Sequence, residues 1–272
     1  MRLMVQPSIG IVVPTLGTRI DYLRQSLASI RSSGHAIIHI VAPKSAQFKS
    51  VLDPNSYDAL ITDPGTGLSA AIDAGLRSFP PCVQYINWLG DDDLLTEGSL
   101  GHAMVVLANN PDIALVYGGC EYIDGTGKPL WLNKSGSYAK YLMRCGPQLI
   151  PQPGSLMNRK AYEQIGGLDH QYKWAFDLDL LIRLSRVGRL QFTPRTLAKF
   201  RWHDGSLSVG GRNGSVAEAS VIRIAALPRW IQLLAPIWEI FIRRVIMCAG
   251  KRMSKRSKKT ILDAFRRSRF EY

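Results

Sequence analysis

Apolar and polar positions alternate in blocks along the first half of the chain. Ile9-Gly10-Ile11-Val12-Val13 is an unbroken apolar run closed by Pro14-Thr15, the pattern of a strand covered on both faces. Over 18–31 the apolar residues Leu23, Leu27 and Ile30 recur at helical spacing, and Thr18 with Asp21 three places on is a helix-start signature. A second strand is predicted over 36–41 and a third over 57–62. The loop Asp63-Pro64-Gly65-Thr66-Gly67 leads into a short helix over 68–77, and a fourth strand spans 83–89. Thr96 is placed to cap a further helix that stops at Asn109-Asn110-Pro111. Buried strands alternating with helices predict an α/β fold, a mainly parallel sheet sandwiched by helices. Ligands of such sheets bind beyond the carboxyl ends of the strands, where Thr15, Asp63 and Asp91 to Asp93 stand.

The second half is less regular. Strands are predicted over 114–118 and 121–123, with Asp124-Gly125-Thr126-Gly127 turning the chain between strands. A proline-punctuated loop covers 147–153, a helix covers 176–187 and ends at Gly188, and a short strand covers 197–202. No internal repeat is visible.

With 272 residues, 46% hydrophobic and 20% charged, the chain has the makings of one large core or a core with an appendage. We divide it into a body over 1–215 and a C-terminal apolar and basic helical appendage over 216–272. The four cysteines are scattered with no CxxC pair, which argues against a zinc site or disulfide framework and fits a reducing compartment. The stretch 1–7 has too short an apolar segment for a signal peptide. The net charge of +13 is uneven: eleven of the 34 Lys and Arg lie after 242, against only Asp263 and Glu271. The segment 222–247 is rich in large apolar residues but is interrupted by Arg229, Glu239, Arg243 and Arg244 and broken by Pro228 and Pro236. No charge-free run approaches the ~20 residues that span a bilayer. Trp and Leu beside a Lys/Arg cluster predict an element lying on an anionic membrane surface, the alternative being a helix packed on the body with a solvated tail. The body carries no aromatic-and-basic RNA-binding motif, so no nucleic acid partner is expected beyond a nucleotide.

The chemistry concentrates in two acidic groups. Asp91-Asp92-Asp93 places three like charges at the end of a buried strand, a conflict that a divalent cation would remove and that a solvated acidic turn would tolerate. Asp177 and Asp179 open an apolar helix, where the helix dipole favours carboxylates. Two residues apart on a helix they diverge by about 200°, so they cannot share a site; Asp179 has the spacing to pair with Arg183.

These motifs, in this order, resemble a family-2 glycosyltransferase of the GT-A fold, the inverting, nucleotide-sugar-dependent class. The resemblance covers about 8–208. Ile11-Val12-Val13-Pro14-Thr15 is similar to the family's first strand, and 63–76 to its glycine-containing loop and following helix. Leu89-Gly90-Asp91-Asp92-Asp93 is similar to its DxD-type motif. Pro153-Gly154-Ser155-Leu156-Met157 and Gly166-Gly167-Leu168-Asp169 resemble its acceptor-side loop and the turn after it. Phe176-Asp177-Leu178-Asp179-Leu180 resembles its catalytic-base motif, and 201–208 its closing segment.

The resemblance implies a nucleotide-diphosphate sugar as donor, a saccharide or lipid-linked hydroxyl as acceptor, and Mn²⁺ or Mg²⁺ as cofactor. It makes Asp93 the direct metal ligand and places Asp91 on the metal or the ribose with Asp92 in support. His203, standing after a strand, is a candidate second ligand of metal or diphosphate, the alternative being a structural histidine. Pro14, Thr15 and Asp63 fall at the nucleotide, and Asp177 is the base. Two departures stand out. The family's second strand usually ends in an acid that reads the base, whereas here Val41-Ala42-Pro43 has none, leaving Asp63 or backbone groups to do so. Ile72 stands where many relatives carry a basic residue. The expectation is a glycosyltransferase of surface polysaccharide or glycolipid synthesis, cytoplasmic and peripheral on the inner face of the membrane. Its rivals are a sugar nucleotidyltransferase and a catalytically silent binding protein.

Overall fold

The computed structural model describes residues 9–48, 51–203 and 211–268. The start of the chain, the 204–208 part of the closing motif and most side chains of the basic tail lie outside what is described.

The elements run β1 (Ile9–Pro14), α1 (Ile20–Ser33), β2 (Ile37–Ala42), β3 (Ala59–Thr62), α2 (Leu68–Arg77), β4 (Tyr85–Trp88), β5 (Leu94–Leu95) and α3 (Ser99–Ala108). Then follow β6 (Ile113–Asp124), β7 (Pro129–Asn133), α4 (Ala139–Leu142), β8 (Ser155–Asn158), α5 (Arg159–Gln164), α6 (Phe176–Val187) and β9 (Arg189–Trp202). Three helices close the described chain: α7 (Arg212–Ala226), α8 (Arg229–Gln232) and α9 (Ala235–Ser268).

One sheet holds the described strands in the order β3-β2-β1-β4-β8-β6-β9-β5, with β7 on β6. The four strands read from the sequence as a βα alternation form the parallel half, β3-β2-β1-β4. β8 enters antiparallel between β4 and β6, and β9 returns parallel to β6. The result is a mixed α/β body, a curled and mostly parallel sheet with helices on both faces.

Alternation along β1 shows how the core divides. Ile9, Ile11 and Val13 face one apolar layer with Leu23, Leu27 and Ile30 of α1; Val12 faces the other with Ile72 and Leu76 of α2 and Leu180 and Leu184 of α6. Helix α2 lies flush on the sheet because Gly75 has no side chain; a Cβ there would sit 2.6 Å from Val41 Cγ2 and 2.8 Å from Val12 Cγ1.

Several expectations shift. Thr18 does not cap α1: the helix starts one turn position later, with Arg19 at the N-cap and no side-chain cap bond. Thr96 does not cap α3 either. Its hydroxyl donates to the Thr196 carbonyl at 2.8 Å and its amide to Leu197, fastening β5 to β9, while Gly98 in a left-handed conformation opens the helix. The two strands predicted over 114–123 are one strand whose register slips at Gly118 and Gly119; a Cβ on Gly118 would meet the Arg195 carbonyl at 2.4 Å. The 197–202 strand extends back to Arg189. The turn at Asp124 is as read: its Oδ1 accepts from the amides of Thr126 and Lys128 and from the Thr126 hydroxyl.

Candidate active site

β1 and β4 are adjacent and parallel, so their ends deliver Pro14-Thr15 and Gly90-Asp91-Asp92-Asp93 to the same edge. There the acidic triplet is held by specific partners rather than by solvent. Asp91 accepts from the Thr15 hydroxyl at 2.5 Å through Oδ2 and from Arg19 at 2.6 Å through Oδ1. Asp92 Oδ2 lies 2.8 Å from Arg19 and 2.8 Å from His203 Nε2. Asp93 Oδ1 accepts from the backbone amide of Arg201 at 2.9 Å, while its Oδ2 accepts no hydrogen bond among the described residues.

The electrostatics follow from this partnering. Burial pushes the Asp91 carboxyl above its ordinary range, with the Thr15 bond and the Arg19 charge opposing. Burial acts the same way on Asp92, but there the His203 bond and the Arg19 charge win and hold it below that range. Asp93 is driven well above, first by burial and then by the charge on Asp92. Unlike Asp91 and Asp92, it is held by a backbone amide and by no ion pair among the described residues, and the nearby Arg201 charge offsets its burial only in part.

Arg201 is fully buried and organises the loop. Besides holding Asp93 with its amide, it donates to the Asp92 carbonyl (2.8 Å) and to Gln25 of α1 (2.9 Å), and its guanidinium lies 4.3 Å from the centre of the Tyr22 ring.

A cavity of about 370 Å³ opens beside the triplet. Pro14, Arg19 and Asp91 to Asp93 line it, and so do Asp177 of α6, Tyr122 of β6, Trp202 at the end of β9 and Gln148 of the proline-punctuated loop. Asp177 and the triplet therefore share one space. Tyr122 lies between them: its phenol is kept from ionising first by burial and then by the neighbouring acids Asp93 and Asp177. Asp177 accepts from Gln148 Nε2 at 3.0 Å and from the Leu178 amide at 2.8 Å. Its side chain opens partly on the cavity yet is surrounded by dense protein, and burial raises its pKa against those two bonds. Asp179 points elsewhere and pairs with Arg183, as the helical angle requires.

The remaining sequence candidates divide. Asp63 is not among the residues lining the cavity; its carboxylate accepts from the Gly65 amide at 2.7 Å, and its own amide bonds the Ala42 carbonyl. His203 meets Asp92 and Arg19 (3.3 Å) through Nε2, so it would have to leave them to bind anything else with that nitrogen. Ile72 is buried and lines the cavity, giving α2 an apolar rather than a cationic contribution.

Arg19 was missed. It lies just after the Pro-Thr strand end and before an amphipathic helix, and the helix signal masked a basic residue four places from Thr15. Gln148 and Gln152 were also passed over. The latter donates to Asn87 Oδ1 and the Trp88 carbonyl, fixing the loop against β4.

The residues suit a divalent cation held in part by its ligand. Among the described residues no cluster of three or more His, Cys, Asp or Glu groups is arranged to hold an ion unaided. Asp93 instead offers one uncompensated oxygen, and a single carboxylate completed by substrate phosphates is a common Mg²⁺ or Mn²⁺ arrangement.

No family model matches the chain. It is 26% identical over 212 residues to an uncharacterised glycosyltransferase of Rickettsia typhi, covering 73% of this chain and 65% of that protein. It is 24% identical over 249 residues to the O-antigen biosynthesis protein RfbC of Myxococcus xanthus, covering 83% of this chain and 18% of RfbC. The chain thus spans less than two thirds of these relatives' length. Among solved structures, the mannosyltransferase PcManGT of Pyrobaculum calidifontis, in complex with GDP-Man and Mn²⁺, superposes with a TM-score of 0.63 at 13% identity, over 99% of this chain and 82% of that one. TarS of S. aureus, in complex with UDP, superposes with a TM-score of 0.58 at 10% identity, over 83% and 68%. Sequence relatives and fold together make this chain a glycosyltransferase homologue with a GT-A-like architecture.

Proposed function

We propose that the chain is an inverting glycosyltransferase that moves a sugar from a nucleoside-diphosphate donor to a hydroxyl acceptor, in the synthesis of a surface polysaccharide or glycolipid. The observation that carries this reading is the single cavity lined by both the Asp91–Asp93 loop and Asp177. Mn²⁺ or Mg²⁺ bound at Asp93 would act as a Lewis acid on the departing diphosphate. The chain's own residues do the rest. Pro14 borders the nucleotide, Thr15 holds Asp91 from behind the cavity wall, and Asp91 and Asp92 take the donor side. Arg19 faces the same space and can turn from these carboxylates to a phosphate. Asp177 is the base: it accepts the proton of the acceptor hydroxyl as the new C–O bond forms at the anomeric carbon and the bond to the diphosphate oxygen breaks. Its raised pKa suits it to hold that proton, and Gln148 fixes the carboxylate. The structural neighbours bind UDP, UDP-GlcNAc and GDP-Man, which supports a nucleotide sugar as donor class.

The test is a thermal-shift screen of UDP-, GDP- and dTDP-sugars with and without Mn²⁺, followed by NMR of the product's anomeric centre. Stabilisation by one nucleotide sugar that depends on Mn²⁺ is expected, about 2.7 kcal/mol at a hundred times Kd. No nucleotide response under any metal would refute the donor class. A product of retained configuration would refute the inverting mechanism.

A further inference from the structure

The last two helices present the longest run of exposed large apolar side chains among the described residues. Trp230 is 74% exposed, Leu233 86%, Ile237 66%, Phe241 68% and Val245 59%. Isolated exposed apolar residues are ordinary; a contiguous set is not.

The rotation of α9 is fixed, so this exposure is built in. Its inward face carries the buried Ala235 and Glu239. Glu239 forms a fully buried ion pair with Arg223 of α7 at 2.7 Å and also accepts from the Ser220 hydroxyl at 2.5 Å, and Arg243 donates to the same hydroxyl at 2.9 Å. Turning the helix to hide Phe241 would break that pair and leave a charge buried alone. At about 100° per residue, Ile237, Phe241 and Val245 form one outward stripe, and the exposed Arg252 and Lys255 continue it. The face is apolar in its first half and basic in its second. The only acid between Arg229 and Lys255 is Glu239, which is neutralised inside. No described helix is long and apolar enough to cross a membrane.

We infer that the outward face of α8 and α9 docks on an anionic lipid bilayer, lying in its plane. Trp230, Leu233, Ile237 and Phe241 enter the interface, and Arg252 and Lys255 meet lipid phosphates. Charge complementarity selects a bilayer over a second copy of the chain, whose matching face would bring the same cations together. α9 also touches β6 and β7, the hairpin that carries Tyr122 and Asn133 to the cavity. The half-exposed Trp131 of β7 packs on Tyr122 at 5.3 Å between ring centres, so an aromatic path joins this flank to the cavity. An acceptor held in the bilayer by a lipid tail can therefore offer its head group to the site. That last step rests on the glycosyl-transfer reading; the docking does not.

The experiment is co-sedimentation with phosphatidylcholine vesicles, with and without 30 mol% phosphatidylserine, across a salt series. The full chain is compared with I237S/F241S and R252E/K255E, and folding and oligomeric state are followed by thermal melting and light scattering. Binding to the anionic vesicles only, weakening with salt, is expected. R252E/K255E should bind more than 20-fold more weakly, since each basic residue near such a surface is worth about fivefold. I237S/F241S should lose at least tenfold while melting normally, because its altered side chains are exposed. Equal binding of all three proteins would overturn the inference, as would a dimer that dissociates in I237S/F241S without any vesicle binding. Mn²⁺-dependent nucleotide binding, measured on the same variants, reports the transfer reading separately. Docking with no nucleotide response would sink only the transfer reading, and a nucleotide response without docking only the present one.

Discussion

Replacing Asp177 with Asn tests the proposed chemistry most directly. Asn has the same shape, and its one oxygen can still accept from the Leu178 amide, which bonds Oδ1 at 2.8 Å, while Gln148, whose Nε2 donates to Oδ2 at 3.0 Å, can turn its amide over to accept from the new NH2. What it cannot do is take a proton. General-base catalysis contributes about 10²–10⁴-fold, so the barrier should rise by about 2.7–5.4 kcal/mol. The fold should not suffer. Asp177 has a folded pKa raised by burial, so between its unfolded and folded values the native state holds the extra proton, and stability declines as pH rises through that window. The amide does not titrate and removes this decline, so the variant should melt no lower than the parent at neutral pH. The assay is steady-state transfer with the donor titrated at saturating acceptor, beside direct donor binding. The expected result is a fall in kcat of at least a hundredfold with donor Kd within about threefold. A loss of donor affinity matching the loss of rate would show that Asp177 binds donor and is not the base. A loss below tenfold would leave the base unidentified.

Four further outcomes follow. The acid limb of the kcat/KM profile should lie above the ordinary carboxylate range, because Asp177 must be deprotonated to act, and Gln148→Met should move it to still higher pH by removing a bond that favours the anion. Asp93→Asn should abolish the Mn²⁺-dependent part of nucleotide binding, read by calorimetry, while the metal-free protein melts as before or higher. Glu239→Gln should lower stability by about 3–5 kcal/mol in urea melts, because Arg223 is left buried without its anion. Gly75→Ala should cost about 1–3 kcal/mol by forcing α2 off β1 and β2, with nucleotide binding weakened because the same helix carries Ile72 to the cavity.

The parallel half of the sheet was legible because its signals are local. Unbroken apolar strands and helical spacing place β1, β2, α2 and α6 to within a residue or two. The acidic triplet and Asp177 were legible as chemistry, and the angular separation of Asp177 from Asp179 follows from helix geometry alone. What could not be read was set by distant partners. Thr96 looks like a cap until β9, a hundred residues on, claims its hydroxyl. Arg19 looks like one charge on a helix until Asp91 and Asp92 arrive beside it. The β8 strand hides in a four-residue stretch that pairs with β4 and β6 in a direction no local pattern announces.

Arg201 has a consequence for synthesis of the chain. Its amide and side chain secure Asp93 and Asp92 from 108 and 109 residues away, and Gln25 from 176. Long closures of this kind form late, because the chain entropy they remove must be offset by contacts already in place. A nascent chain ending before Arg201 can pair β1, β2, β3 and β4 and can hold Asp91 and Asp92 through Thr15 and Arg19, but the Asp93 carboxylate has no lock. The acidic loop is therefore completed only once most of the protein exists.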